Sequence, residues 1–258
     1  MDRGSGGVRC PALRVAVLSD IHSNRQALEA VLGAVEGAGV DEVWCLGDMV
    51  GYGADPDDCT ALVRERADLC LAGNHDLAVL GALDISTFSD GAAAAVGWTR
   101  GNVSEATLDF LAELDPAGSR EGIGLFHASP RDPVWEYVLA TDQAEAGFEA
   151  MEERVGLIGH SHIALFFVCA TGARPGYAQG AQAVDGGEIE LAESRWLLNP
   201  GSVGQPRDGD PRASWLALDT ESWIARWHRV EYDVEGAAAA IRAAGLPASL
   251  ADRLEVGR

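Results

Sequence analysis

The sequence contains no lysine, so all nineteen of its Lys or Arg positions are arginine. A chain without lysine can supply neither a Schiff-base lysine nor the lysine of a Walker phosphate-binding loop, and both chemistries are excluded. Positive charge is scarce overall, because nineteen arginines face forty acidic residues and the net charge is −21. Such a self-repelling surface is unsuited to a polyanion or an acidic membrane, so we expect no nucleic-acid and no membrane partner.

The sequence also lacks paired cysteine motifs and long apolar runs. Its five cysteines include no CxxC pair, and Cys45, Cys70 and Cys169 lie inside apolar segments. This usage is typical of reduced, mostly buried thiols in a cytosolic protein. No apolar run approaches the length that crosses a bilayer, and residues 1–12 predict a flexible polar leader without a secretory hydrophobic region. We therefore expect a cytoplasmic protein.

The first part of the chain predicts alternating strands and helices. Residues 13–20 form a short β-rich run, and from Asn24, a predicted helix cap, apolar residues recur at helical spacing. A second unit combines a strand at 41–48 with a helix that opens at Asp55 and Pro56. This alternation predicts a layered α/β fold, and 258 residues are enough for a single large domain.

The remaining residues predict a helical segment followed by many strands. After a third strand at 68–72, a helical insertion is expected at about 77–121, with Ser89 and Ser104 as caps. Further strands are expected at 122–127, 155–159, 163–169, 187–198, 213–219 and 222–230. Helices are expected at about 142–153, 234–244 and 247–255, and a turn-rich loop at 171–187. Residues 13–258 are thus predicted to form one domain.

Polar residues that could bind a metal ion or act in catalysis lie where the predicted strands end. Five of the six histidines lie there, and His228 is the exception, expected to be half-exposed on a strand. In parallel-sheet folds, residues just past the strand ends converge in space even when they are far apart in sequence. The converging set is Asp20, His22, Asp48, Asn74, His75, His127, His160 and His162.

This set has the chemistry of a site for a pair of bridged divalent ions. Imidazole nitrogen and carboxylate oxygen suit Mn, Fe, Zn or Ni, and the absence of a thiolate argues against a closed structural zinc site. In the stretches "DIH" at 20–22 and "HSH" at 160–162, ligands two apart on an extended segment would project to the same side. Each pair is therefore expected to bind a common centre.

The order of these residues resembles the calcineurin-like metallophosphoesterases. The ordered blocks DxH, GD, GNH, H and GHxH of that family match Asp20–His22, Gly47–Asp48, Gly73–His75, His127 and Gly159–His162. The similarity covers about residues 13–207, and "SDIHSNRQALEAVL" and "NPGSVGQPR" look further like a small bacterial phosphodiesterase and phosphatase branch. That branch includes proteins linked to diadenosine tetraphosphate cleavage. The resemblance implies two packed mixed β-sheets flanked by helices in a four-layer sandwich.

The resemblance also implies which residues hold two divalent metal ions. One ion would be held by Asp20, His22, Asp48 and His162, and the other by Asp48, Asn74, His127 and His160, with Asp48 as the bridge. Two such ions would polarise a phosphoryl oxygen and acidify a bridging water, whose hydroxide form attacks phosphorus. His75 would donate a proton to the leaving group or stabilise its charge. Asp76 would either keep His75 cationic or, as we favour, cap the following helix.

Three other features bear on the substrate. Arg131 and Arg207 are candidates for a phosphate clamp, and a solvated loop arginine is an equal alternative for each. Gly51 and Tyr52 stand where protein Ser/Thr phosphatases and symmetrical dinucleoside tetraphosphatases carry an arginine, which counts against both substrate classes. The segment 199–207 could offer backbone N–H groups to an anion, and tight turn packing explains its glycines equally well.

The expected function is hydrolysis of a small phosphomonoester or phosphodiester, with nucleotide-derived esters as one option. A non-catalytic metal-binding or scaffold protein on the same fold is the first alternative, although all seven expected ligand positions are filled. A nuclease is the second alternative, and the acidic composition counts against it. The expected partner is a small phosphorylated substrate, and the sequence is compatible with a homo-oligomer.

Overall fold

Two mixed six-stranded β-sheets form the centre of the computed structural model, which describes residues 13–170, 172, 177–191 and 193–258. The strands in this part of the chain are β1 (Arg14–Leu18), β2 (Glu42–Cys45), β3 (Leu69–Cys70), β4 (Ala117–Arg120), β5 (Ile123–Phe126), β6 (Val155–Leu157), β7 (Ala164–Ala170), β8 (Gln179–Gln182), β9 (Glu188–Glu190), β10 (Ser194–Pro200), β11 (Ala213–Asp219) and β12 (Ile224–Val230). One sheet has the order β3-β2-β1-β11-β12-β9, and the other β4-β5-β6-β10-β7-β8.

The helices connect the strands and cover the outer faces of the sheets. They are α1 (Arg25–Ala38), α2 (Pro56–Arg66), α3 (Asn74–Val79), α4 (Asp90–Asn102), α5 (Glu105–Ala112), α6 (Thr141–Ala150), α7 (Val234–Ala243) and α8 (Ala248–Asp252). Short 3₁₀ turns lie at Ile85–Thr87 and Arg253–Glu255. The side chains of Asn24, Ser89 and Ser104 accept hydrogen bonds from the first turns of α1, α4 and α5, so the three predicted caps are confirmed.

Alternation along the strands builds a four-layer sandwich. In β1, Val15 and Val17 face the second sheet, whereas Ala16 and Leu18 pack on the opposite side with helix α1. In β7, Phe166 faces the first sheet, while its neighbours belong to a separate cluster with α6. The two sheets therefore bury one core between them and two more beneath the helices, and the predicted α/β fold is confirmed.

The parallel strands explain how the chain can gather residues from distant segments. Strands β1, β2 and β3 run parallel in the first sheet, and β5, β6 and β10 run parallel in the second. Antiparallel partners flank both groups. The carboxyl ends of each parallel group consequently lie at one edge of its sheet.

Several segments differ from the sequence prediction. The expected helical stretch of about 77–121 ends earlier, because Ala117–Arg120 forms β4 and pairs with β5. The expected loop at 171–187 contains β8, an exposed edge strand whose sequence "QGAQ" has no apolar alternation to indicate it. The expected strand at 187–198 is two strands, β9 and β10, which belong to different sheets. The predicted leader, residues 1–12, lies outside the described residues.

Other expectations concern single side chains and membrane segments. Cys45 and Cys59 are buried, Cys70 and Cys169 are half-buried, and all four are free thiols. Cys10 lies outside the described part of the chain. His228 is half-buried on β12, where its ring stacks on Trp215, so that prediction is confirmed. None of the described helices has the length and apolar character needed to span a membrane.

Candidate active site

The predicted polar residues follow the carboxyl ends of the parallel strands. Asp20 and His22 come directly after β1, Asp48 after β2, and Asn74 and His75 begin α3 immediately beyond β3. In the second sheet, His127 follows β5, and His160 and His162 follow β6. All eight side chains are buried although they are polar. The two sheets therefore contribute to one buried polar cluster.

Four of these side chains form a first candidate metal group. One ligand atom each from Asp20, His22, Asp48 and His162 lies within 4.8 Å of the others. The Nε2 atoms of His22 and His162 are 3.0 Å apart. Nε2 of His22 is also 3.5 Å from Oδ2 of Asp48, and Nε2 of His162 is 3.5 Å from Oδ1 of Asp20. The ligand atoms thus point at a common centre.

A second group lies beside the first and shares Asp48 with it. Ligand atoms of Asp48, His127 and His160 lie within 4.8 Å of one another. Oδ1 of Asn74 is 3.2 Å from Nε2 of His127, which places the amide oxygen at the same group. Oδ2 of Asp48 is 3.6 Å from Nε2 of His127. The structure therefore brings together all seven predicted metal ligands, in two groups that share Asp48.

Backbone carbonyls fix the tautomers of three imidazoles. The Nδ1 atoms of His22, His127 and His162 hydrogen-bond to the carbonyl oxygens of Val50, Leu46 and Gln205 at 3.1, 2.8 and 2.6 Å. A carbonyl only accepts, so each Nδ1 carries the proton and each Nε2 keeps a lone pair directed into the cluster. This is the arrangement that orients histidine for binding a metal ion.

Unpaired buried atoms show that the residues fit divalent ions. Oδ1 of Asp20, Oδ2 of Asp48 and Nε2 of His160 are buried, and no described residue gives them a hydrogen bond. The other oxygens of both carboxylates accept backbone N–H groups, from His160 for Asp20 and from His75 for Asp48. Each carboxylate is thus anchored by one oxygen, and its free oxygen is available to a cation.

The backbone at the cluster differs from the prediction of extended segments. Asp20, His22, His160 and His162 have φ angles of 55°, 52°, 63° and 59°, and Asp48 has 55°. These left-handed conformations are uncommon for residues other than glycine and turn the chain sharply. Contacts between loops stabilise them, because the N–H groups of Asp20 and His22 donate to the carbonyls of Gly47 and Asp48 at 3.1 and 2.9 Å. The extended-segment interpretation of "DIH" and "HSH" was therefore wrong. Asp20 and His22 do meet in one ligand group, whereas His160 and His162 belong to different groups.

Comparison with known proteins assigns this arrangement to a family. The model of the calcineurin-like phosphoesterase superfamily domain matches residues 13–222, most of the chain. The protein belongs to the calcineurin-like phosphoesterase superfamily. As a member of it, the chain is a metal-dependent phosphoesterase.

Relatives of this phosphoesterase resemble it over nearly their whole length. An uncharacterized protein of Methanocaldococcus jannaschii is 39% identical over 251 residues, which cover 95% of this chain and 98% of the relative. The crystal structure of a metallophosphoesterase from Sphaerobacter thermophilus is 37% identical, with a TM-score of 0.86 and coverage of 96% and 100%. A hypothetical protein from Pyrococcus horikoshii shares the fold at 20% identity, with a TM-score of 0.76 and coverage of 95% and 98%.

The electrostatics of the phosphoesterase site favour a bound cation. Burial raises the pKa of Asp20 to about 7 and raises the pKa of Asp48 well above its ordinary range. Burial also lowers the pKa of His22, His160 and His162 well below the usual histidine value, so their rings are neutral. Buried carboxylates beside neutral imidazoles lack a compensating charge, and divalent ions would supply it.

His75 lies beside the metal groups with its ring enclosed by aromatic neighbours. Its centroid is 4.9 Å from that of His22, 4.4 Å from Tyr52 and 5.1 Å from Phe88. Burial, with the charge of Arg207 next in effect, lowers the pKa of His75 to about 3, so the ring is neutral at neutral pH. The alternative in which a carboxylate keeps His75 cationic is therefore not realised.

Asp76 performs the capping role that the sequence favours. Its carboxylate accepts the backbone N–H of Gly73 at 2.9 Å, at the start of α3. It also accepts the N–H groups of Met49 and Val50 at 3.3 and 3.1 Å. The cap prediction is confirmed, and the same carboxylate ties the loop that follows β2 to α3. It thereby sets Asp48 and Asn74 side by side.

The two predicted arginines occupy different places. Arg131 is exposed, and its guanidinium is paired with the carboxylate of Glu136. It is not among the residues that line the cleft at the metal groups. Arg207 does line this cleft, where its guanidinium lies over the ring of Tyr52 at 5.6 Å. Arg253, in the last turn of the chain, lines the cleft as well and was not predicted, because a lone arginine in a tail helix carries no sequence signal.

Tight packing accounts for the glycine-rich segment 199–207. The N–H groups of Val203 and Gly204 donate to the carbonyls of Ser19 and Asp20, both at 3.0 Å. A Cβ atom at Gly204 would collide with the carbonyl oxygen of Ile21, so only glycine allows this approach. These N–H groups are used to hold the loop that carries Asp20 and His22. The tight-packing explanation of the glycines is therefore favoured over the anion-binding one.

The metal groups open into a cleft with an aromatic rim. The cleft has a volume of about 330 Å³. Phe88, Trp135 and Tyr137 line it, and the latter two are unusually exposed for large hydrophobic side chains. Tyr137 stacks on His160 with centroids 4.1 Å apart, and Phe88 contacts Trp135 edge to face at 5.4 Å. The sequence reasoning did not assign a role to these rings.

Proposed function

We propose that this phosphoesterase is binuclear and that Asp48 bridges its two divalent ions. The sharing of Asp48 between the two ligand groups is the observation that carries the proposal. The first ion is held by Asp20, His22, Asp48 and His162, and the second by Asp48, Asn74, His127 and His160. Nitrogen and oxygen donors of this kind suit Mn, Fe, Zn or Ni, and we propose Mn for the first tests.

The catalytic contribution of the ions and that of the protein are distinct. When bound, two divalent ions polarise the phosphoryl group and supply an acidified water as nucleophile. His75 lines the cleft next to both ligand groups, and we assign to its neutral ring a hydrogen bond, donated by its N–H, that stabilises the charge on the leaving oxygen. The backbone N–H of His75 donates to Oδ1 of Asp48 at 2.8 Å, which leaves Oδ2 to the ions. One residue thus orients the bridge and assists the leaving group.

The size and the aromatic lining of the cleft suit a small substrate that carries an aromatic group. Its volume of about 330 Å³ is at the lower end for small-molecule sites. Exposed Trp135 and Tyr137 offer faces on which an aryl group or a nucleobase can stack. The acidic composition does not provide the basic surface that a nuclease needs along a phosphate backbone. We therefore propose small aryl or nucleotide-derived phosphoesters, hydrolysed in the cytoplasm.

A turnover screen tests this function. Protein loaded with manganese would be assayed on phosphomonoesters, phosphodiesters, cyclic nucleotides and dinucleoside polyphosphates. We expect turnover of at least one small ester, abolished by a chelator and restored by added metal. Asp58 lies in the exposed first turn of α2, where it pairs with Arg25. Asp58→Asn is therefore the control variant, and it should leave turnover unchanged. Absence of turnover on every class, with two metals bound, would support the scaffold alternative instead.

A further inference from the structure

Two arginines lie side by side in the cleft without an Asp or Glu side chain to neutralise them. Arg207 and Arg253 both line it, and no Asp or Glu side chain of the described residues lies within ion-pair distance of either. Nine other arginines in the described part of the chain do have such a partner, including Arg131 and Arg242. Arg64, Arg100 and Arg195 also have no ion-pair partner among the described residues, so what distinguishes Arg207 and Arg253 is that the two guanidinium groups lie together at the cleft.

A single buried side chain joins these arginines and connects them to the metal ligands. Oε1 of Gln205 accepts a hydrogen bond from Arg207 at 3.0 Å and from Arg253 at 3.1 Å. The backbone carbonyl of the same glutamine accepts Nδ1 of His162 at 2.6 Å. Tyr52 completes the connection, because its ring lies under Arg207 and 4.6 Å from the ring of His22. The guanidinium pair is therefore fixed relative to the metal groups.

The end of the chain is packed so that Arg253 stays at the cleft. Leu250 and Leu254 are buried in an apolar cluster with Tyr52 and with α4 and α7. The N–H of Gly209 donates to the carbonyl of Gly257 at 2.9 Å, which ties the terminus to the segment that follows Arg207. Nε of Arg253 donates to the main-chain oxygen of Arg258 at 2.7 Å. The remaining donors of both guanidinium groups are the ones available to a ligand.

We propose that Arg207 and Arg253 bind a second phosphate of the substrate, distinct from the phosphoryl group that is cleaved. Guanidinium forks match phosphate oxygens, and two of them beside each other need an anion to relieve their repulsion. The proposal rests on the proposed phosphoesterase function and narrows its substrates to esters with two phosphates. Arg253 is thus a specificity-determining residue in the last turn of the chain.

Calorimetric titration of the manganese-loaded protein tests the proposal with two probes. Thymidine 5′-monophosphate and thymidine 3′,5′-bisphosphate differ only in the second phosphate. We expect the bisphosphate to bind at least about tenfold more tightly, equivalent to about 1.4 kcal/mol. In Arg253→Gln this preference should fall to less than about threefold. Arg253→Lys keeps the charge without the planar fork and should give an intermediate preference.

Arg242→Gln is the matched control, because Arg242 lies on the exposed side of the same C-terminal region and pairs with Asp252 and Glu255. It should keep the full preference for the bisphosphate. Equal affinity for the two probes in the wild type, binding of neither probe, or an unchanged preference in Arg253→Gln would overturn the proposal. Equal affinity for the two probes in a wild-type protein that turns over esters in the substrate screen would refute only this proposal. An intact preference without turnover in the substrate screen would instead refute the proposed function.

Discussion

Gly51 lies directly against the ring of His75. A Cβ atom built on Gly51 would be 2.5 Å from Nδ1 of His75, and Gly51 has a φ of +90°. Nδ1 is buried, and none of the described residues hydrogen-bonds to it. The bare backbone of Gly51 is therefore part of the wall that positions the imidazole.

Gly51→Ala should displace His75 and lower kcat/KM by about tenfold to a hundredfold, because small errors in the position of a catalytic group are costly. Both metals should remain bound. The measurement is kcat/KM together with metal content per chain. Gly81→Ala is the matched control: Gly81 has a φ of +80°, but a Cβ there meets nothing within 4 Å. If the two variants lost the same activity, backbone strain and not contact with His75 would be responsible.

His75→Ala should keep both metals and slow mainly the esters with poor leaving groups. An aryl leaving group departs with little assistance, whereas an alkyl alkoxide needs the hydrogen bond that the His75 ring donates to stabilise its charge. We expect a loss of about a hundredfold on an alkyl ester and a much smaller loss on p-nitrophenyl esters. Equal losses on both esters, or an emptied metal site, would remove His75 from this role.

Asn74→Ala should have a different effect from His75→Ala, although the two residues are adjacent in the sequence. Its Oδ1 belongs to the second ligand group, so the variant should weaken the second metal and slow aryl and alkyl esters alike. Added manganese should restore part of the rate. Metal titration followed by assays with both esters checks this outcome. A selective loss on the alkyl ester with full metal content would contradict the assignment.

The carboxylate of Glu42 joins the two sheets. It accepts a hydrogen bond from Arg120 of the other sheet at 2.8 Å and one from Nε1 of Trp44 at 2.7 Å. The hydrogen bond from Arg120 is the main reason that the pKa of Glu42 lies below its ordinary value of 4.5. A lowered pKa means that the ionised carboxylate stabilises the folded protein above pH 4.5, and that this stabilisation is lost as the pH falls through the folded pKa.

Glu42→Gln should accordingly lower the free energy of unfolding by about 0.5–1 kcal/mol at pH 7, a modest amount because Arg120 is partly exposed. The difference from wild type should shrink as the pH drops below about 4.5 and disappear once the pH lies below the lowered pKa of the folded protein. Urea denaturation at several pH values measures it. Glu36→Gln, which breaks the exposed pair with Arg66, is the control and should cost less. A difference that grows toward low pH would contradict the sign of this linkage.

The residues of the two candidate metal groups could be predicted from sequence because parallel strands impose a general rule. Residues past strand ends converge, and five of six histidines lie at such ends. The left-handed backbone of Asp20 and His22 could not be identified in this way. It depends on hydrogen bonds to Gly47 and Asp48, which follow another strand. Spacing within "DIH" carries no information about these partners.

Features that depend on tertiary packing were beyond the sequence pattern. Arg253 reaches the cleft because α8 packs with α4 and α7 in one apolar cluster, and no local motif records this contact. Strand β8 forms from "QGAQ" because it completes an edge ladder on β7, not because its residues favour a strand. The capping role of Asp76 was predicted, whereas its bonds to Met49 and Val50 required the folded arrangement.

The bridging role of Asp48 is the central claim, and metal analysis of Asp48→Asn tests it most directly. Elemental analysis after reconstitution with manganese should find two ions per chain in the wild type and in the Asp58→Asn control. It should find fewer than one in Asp48→Asn, with nearly all hydrolysis lost and a circular dichroism spectrum like that of the wild type. Two ions per chain and unchanged hydrolysis in Asp48→Asn would contradict the account.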